Sequence, residues 1–225
     1  IAAIYAAAYG YTLEKIAYRP LRNAPRLSPL ISAIGMSLFL QNYVLLAQTP
    51  DFLPFPALIP DFDFMEPIAH IMGSPELVIL VTSAVSMVAL TVLIKYTRIG
   101  KAMRATQQDM TMARLVGVNV DNVISMTFVI GSVLAAIGGV LVGSYIGQIN
   151  FYIGFMAGVK AFTAAVLGGI GNIPGAVLGA LVLGLTEAYA AGYISSAYED
   201  VFAFGVLVLI LILRPSGLLG KAVKL

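Results

Sequence analysis

The sequence predicts an all-α fold, a polytopic transmembrane helical bundle, and three observations lead there. Of 225 residues, 60% are hydrophobic and only 11% charged, against about 25% charged in an ordinary soluble domain. The mean hydropathy is +0.94. The apolar residues fall in long runs, about six in number, at 27–47, 75–94, 123–146, 155–171, 174–192 and 199–213. Each run is most economically a helix, because backbone in lipid must satisfy its own hydrogen bonds.

Taken in order, "IAAIYAAAYGY" at 1–11 reads as the last turns of an apolar helix, too short for a bilayer that needs about 20 residues. It is therefore expected to be the remnant of an N-terminally truncated helix of a longer chain. The first full run leads into "QTPDFLPFPALIPDFDFMEPIAHIMGSPE", acidic, aromatic and too rich in proline for a long helix. This 48–74 loop is expected to lie across the outer surface, as a docking surface or as a cap on the helices. The second and third runs flank a polar stretch at 96–122. The fourth and fifth are glycine-rich and joined only by Asn172 and Ile173, so they are either two full spans or a re-entrant pair. The last run, "VFAFGVLVLILIL", is short and must recruit Tyr198 and its neighbours, or sit in a thinned region.

Charge gives the sidedness. Lys15, Arg19, Arg22 and Arg26 precede the first full span; Lys95, Arg98, Lys101, Arg104 and Arg114 separate the second from the third; Arg214, Lys221 and Lys224 end the chain. The other loops carry Asp51, Asp61, Asp63, Glu66, Glu187, Glu199 and Asp200 without nearby Lys or Arg. The positive-inside rule places the opening stretch and the C-terminus in the cytoplasm.

Small residues recur at helical spacing. Gly131, Ala135, Gly139, Gly143 and Gly147 form one stripe, Gly171, Gly175 and Gly179 a second, and Ala176, Ala180, Gly184, Ala188 and Gly192 a third. Such stripes let another backbone approach closely where hydrophobicity supplies no driving force. Polar residues inside the runs are candidates for a solute path, since they are costly in lipid unless partnered. These are Ser32, Ser37, Gln41, Asn42, Thr127, Ser132 and Thr163, together with Lys160, the one charge inside an apolar block. Lys160 either snorkels to the outer interface or pairs with Glu187 or a substrate carboxylate.

Several chemistries are disfavoured. The chain has no cysteine and a single histidine, His70, which leaves no thiolate metal site and no catalytic pair. A net charge of +2, spread along the chain, does not suggest nucleic acid. "GGIGNIPG" at 168–175 lacks the Lys and Ser or Thr that follow the last glycine of a phosphate loop, so ATP is not expected to bind here.

The polar stretch contains "RATQQDMTMARLVGVNV" at 104–120. Residues 104–116 hold no Pro or Gly and are predicted to form one short helix, ended by Gly117 as a left-handed cap. By composition alone such a helix floats at the membrane interface or sits in a groove on a partner protein.

The spacing of Ala113 and Gly117 in a cytoplasmic loop ahead of a long span looks like the loop by which importer permeases engage their ATPases. Around it, "MARLVGVNVDNVISMTFVIG" resembles the membrane subunits of branched-chain amino-acid ABC importers of the LivH type. The likeness continues in "YRPLRNAPRLSPLISAIGMSLFLQNYV", in "NFYIGFMAGVKAFTAAVLGGIGNIPGAVLGALVLGLTE" and in "RPSGLLG". The general loop pattern has Glu and Ala ahead of the alanine, where this chain has Thr111 and Met112.

The resemblance implies a single transmembrane permease domain over 1–225, with a periplasmic loop at 48–74 and a coupling loop at 96–122. Arg104, Asp109, Ala113, Arg114 and Gly117 would couple to the ATPases. The implied machine has two permease subunits, two cytoplasmic ATPases holding ATP and Mg, and a periplasmic binding protein delivering Leu, Ile or Val, in a bacterial inner membrane. The permease itself would be no enzyme and bind no cofactor. The alternatives are the same architecture importing another small solute, such as another amino acid, urea or an amide, and an ion-driven secondary transporter. The latter is expected to bury carboxylates in the membrane for coupling ions.

Overall fold

The computed structural model describes residues 1–21, 24–25, 28–56 and 73–220. The expectations placed on Arg22, Arg26, Asp61, Asp63, Glu66, His70, Lys221 and Lys224 lie outside these residues. The chain falls into two compact units, Ile1–Ile153 and Gly154–Leu225.

In the first unit, α1 (Ala2–Leu13) runs on into a π-helical turn (Glu14–Tyr18) and a 3-10 turn (Arg19–Leu21). It is followed by α2 (Ser28–Ala47), α3 (Ser74–Tyr96), α4 (Arg98–Gln108), α5 (Met110–Leu115) and α6 (Val120–Ile146). The 27 residues of α6 reach about 40 Å at 1.5 Å per residue, and α1 packs along them. Close approach is possible because Gly10 has no side chain. A Cβ there would stand 2.8 Å from Ser132 Cβ and 3.2 Å from the Phe128 carbonyl oxygen. Ser132, a candidate for the path, is thus a packing neighbour of α1.

At its far end α6 stops at Gly147, in the left-handed region with φ +73°. The chain then forms a short strand, β2 (Gln148–Ile149), antiparallel to β1 (Leu53–Pro54), with Leu53 opposite Ile149. The Phe55 N–H donates to the Gly147 carbonyl at 2.9 Å. The start of the 48–74 loop is therefore tied to the end of α6, and Gly143 lies under the side chains of Phe55 and Ile149.

In the second unit, α7 (Ile153–Gly168) and α8 (Ile173–Tyr193) form a hairpin, and a 3-10 turn (Ser196–Tyr198) leads into α9 (Glu199–Leu213). The last apolar run does recruit its neighbours: with Ser196–Tyr198 it reaches 18 residues. Backbone meets backbone in the hairpin. A Cβ on Gly168 would strike the Gly175 carbonyl, and one on Gly179 the Ala164 carbonyl. Gly171 was expected to belong to this stripe. It does not: with φ +88° it forms the turn, and Gly168 supplies the small surface facing Gly175.

The segment after α9 folds back over that turn. Leu218 N–H donates to the Leu167 carbonyl at 2.9 Å and Leu219 N–H to that of Gly168 at 3.1 Å. Asn172 Nδ2 donates to the Leu219 carbonyl at 2.8 Å, while its Oδ1 accepts from Gly175 N–H and caps α8. The α7–α8 turn is thus tied to the segment that leaves α9.

Among the described residues, four helical segments are long and apolar enough to cross a membrane: Ser74–Tyr96, Val120–Ile146, Ile173–Tyr193 and Ser196–Leu213. The apolar part of α2 and the whole of α7 are shorter.

Candidate functional site

The segment expected to meet a partner is not one helix. Asp109 is extended, with φ −156° and ψ 113°, and divides the predicted 104–116 helix into α4 and α5. Its carboxylate accepts from Thr111 N–H at 2.7 Å and Met112 N–H at 3.1 Å, which satisfies the free donors at the start of α5. The end of α5 is fixed as strictly. Gly117 sits at φ +86°, its N–H donates to the Arg114 carbonyl at 3.1 Å, and Val118 N–H reaches back to the Ala113 carbonyl at 2.9 Å. This pair of bonds is the Schellman closure that a left-handed glycine permits; the predicted cap at Gly117 is where the sequence placed it.

Beside Thr111 and Arg114, α5 and its C-cap expose a set of large apolar side chains. Met110, Met112, Leu115 and Val116 are 49%, 60%, 75% and 76% exposed, whereas Ala113 is buried. Two basic residues anchor this segment. Arg104 Nη1 donates to the carbonyls of Ile94 at 2.9 Å and Lys95 at 3.2 Å, covering carbonyls left open at the end of α3, where positive charge is favoured. Gly100 lies against the Leu93 and Ile94 carbonyls, and Thr97 caps α4 by accepting from Gly100 N–H at 3.0 Å. Arg114 stands 3.8 Å from Asp121 on the first turn of α6. These contacts link α5 to the start of α6 and α4 to the end of α3.

The second unit holds an ionic cluster. Lys160 Nζ on α7 is 3.1 Å from Glu187 on α8, 3.1 Å from Asp200 and 3.9 Å from Glu199, both on the first turn of α9. The lysine does not simply snorkel; it ties three helices through one ammonium. The side chain of Glu187 is 18% exposed, and its Oε1 is buried without a hydrogen bond from the described residues.

Other path candidates are turned to their own helices. Thr163, buried, donates to the Val159 carbonyl, Thr127 to that of Val123 and Asn42 to that of Leu38; Gln41 donates to Ser37 Oγ at 3.3 Å. Ser32 is half-buried on α2. Among the glycines expected to pack, Gly175 and Gly179 meet backbone and Gly143 meets side chains, but no described residue lies within 4 Å of a Cβ on Gly131 or Gly139.

Sequence reasoning missed Glu14. It is fully buried, accepts from Ser125 Oγ at 2.6 Å and lies 3.9 Å from Arg19. Its place at the end of an apolar helix, between Leu13 and Lys15, was the available signal. Its partner on α6 is over a hundred residues away in sequence, and no local pattern reveals it.

Four apolar helical segments of spanning length among the described residues define a polytopic membrane protein. The chain belongs to the family described as "Branched-chain amino acid transport system / permease component", whose model matches residues 1–211. It is 49% identical over 223 residues to the high-affinity branched-chain amino acid transport system permease protein LivH of Escherichia coli K12, covering 98% of this chain and 72% of the relative. It is 50% identical over 221 residues to the corresponding protein BraD of Pseudomonas aeruginosa, covering 97% and 72%. A shorter match, 36% identical over 102 residues, covers 43% of this chain and 28% of LsrC, an autoinducer 2 import system permease of Yersinia enterocolitica. No solved structure matches the chain.

Proposed function

We propose that this chain is the membrane-spanning permease subunit of an ABC importer for branched-chain amino acids. The observation that carries this is the identity of about half over nearly the whole chain to two permeases of high-affinity branched-chain amino acid systems. In this reading a second permease subunit, two cytoplasmic ATPases and a periplasmic binding protein complete the machine. ATP and Mg stay on the ATPases, and the permease catalyses no reaction of its own. It resides in a bacterial inner membrane with its C-terminus in the cytoplasm, in keeping with the basic residues around α3–α6 and after α9.

The geometry of α5 supports a coupling role for it. An amphipathic helix presenting Met and Leu fits an apolar groove on an ATPase. Its two caps, Asp109 and Gly117, keep it stiff enough to pass a displacement on to α6 and, through Arg104, to α3. Lys160 and its carboxylates form the charged part of the solute path. The unmatched Glu187 oxygen supports this, since a buried carboxylate oxygen without a donor suits an arriving ammonium group. The match to LsrC favours keeping one other reading open, the same architecture with a different small solute, because architecture fixes cargo poorly.

The test is Gly117→Trp. A bulky side chain at φ +86° is strained and breaks the closure of α5. The variant is expected to assemble in the membrane but to hydrolyse ATP without matching uptake. Normal uptake with normal binding-protein-stimulated hydrolysis would refute the assignment of α5.

A further inference from the structure

We infer that Glu14 is a positioning residue that carries the displacement of the coupling segment into the first helix, by way of Ser125. This rests on the coupling role proposed for α5.

The contacts form one short chain. Arg114 on α5 pairs with Asp121 at 3.8 Å. One turn further along α6, Ser125 Oγ lies 2.6 Å from Glu14 Oε2 and 3.1 Å from the Asp121 carbonyl. A hydroxyl has one proton to donate, and the shorter contact to a charged oxygen takes it. Glu14 in turn faces Arg19 across its own π-helical turn.

A carboxylate with no exposure is an expensive way to join two apolar helices. Gly10 against Ser132 and the Tyr18 ring 4.8 Å from Phe128 already pack α1 and its extension onto α6. The carboxylate adds a directional link that packing lacks, because a charged hydrogen bond weakens steeply when its partner turns away. It is placed at the turn of α6 that follows the one held by Arg114. Glu14 opens a π-helical turn, Glu14–Tyr18, and such one-turn insertions in otherwise α-helical chain are frequent at functional sites. When α5 moves, the first turns of α6 rotate, and α1 follows through this bond rather than sliding on its glycine contact.

The experiment uses the complete importer in proteoliposomes, with loaded binding protein. It reads solute taken up per ATP hydrolysed for wild type, Ser125→Ala, Glu14→Gln, the double variant and Gly117→Trp. Ser125→Ala is expected to assemble in normal amount and to lose at least about threefold in that ratio, the scale of one hydrogen bond. Glu14→Gln, which keeps an acceptor, is expected to lose less, and the double variant no more than Ser125→Ala alone, as for residues acting as one unit. A merely structural contact would lower the amount assembled and leave the ratio unchanged; an unchanged ratio in Ser125→Ala overturns the inference. Should Ser125→Ala fail to assemble, Glu14→Gln decides by the same ratio. If Gly117→Trp is uncoupled while both single variants are normal, the relay is wrong and the function stands. If Gly117→Trp is fully coupled, the role of α5 fails and the relay with it.

Discussion

Gly175 and Gly179 of the α7–α8 hairpin and Gly131 and Gly139 of α6 all belong to small-residue stripes in the sequence, and their surroundings in the structure are opposite. Gly168, Gly175 and Gly179 press backbone on backbone, whereas Gly131 and Gly139 face open space among the described residues. Gly143 lies between these extremes, against side chains that can shift. A stripe of small residues therefore marks where a helix can be approached, and not whether its own chain does the approaching. In lipid, where burial of apolar surface gives no drive for association, only the contact itself decides.

The sharpest way to break this comparison is Gly175→Ala. The added methyl meets the Gly168 carbonyl, a backbone atom that cannot move without opening the hairpin, and the cost is about 3 kcal/mol or more. Thermal unfolding of the purified permease should show a large drop in midpoint, and an unchanged midpoint would contradict the packing described. Next comes Lys160→Met, which leaves Glu187, Glu199 and Asp200 without their shared cation. With the lysine side chain 33% exposed, solvent screening limits the stability loss to about 1 kcal/mol. Uptake should fall well beyond that loss; normal uptake would remove Lys160 from the solute path.

Smaller effects sharpen the contrast. Gly143→Ala places a methyl 3.1 Å from the Ile149 side chain, and repacking of Ile149 and Phe55 should hold the cost near 1 kcal/mol. Gly139→Ala, in open space in the interior of α6, should stabilise the isolated chain by about 0.5–1 kcal/mol through helix propensity. Measured again in the assembled importer, a loss of stability instead would mean that another subunit covers α6 at this point.

The same contrast explains what was legible. Four spanning segments were, because a run of about 20 mostly apolar residues is a signal of composition that no distant contact can cancel. The Gly117 cap was legible too, because it depends only on the local need for a left-handed residue. Asp109 defeated the reading of 104–116 although its signal was present: an Asp directly before a helix-forming run is an N-cap, and its side chain outcompetes helix continuation. Glu14 and the carboxylates around Lys160 were not legible as a set. Ser125 reaches Glu14 only once α1 lies along α6, and Asp200 reaches Lys160 only once α9 begins beside the end of α8.

The most direct test of the central claim is co-purification of the full-length permease from native membranes, with ATP hydrolysis measured with and without binding protein loaded with Leu, Ile or Val. The importer account predicts that two ATPase subunits and a second permease come with it, and that loaded binding protein stimulates hydrolysis. A chain that purifies alone and moves solute down an ion gradient would contradict it.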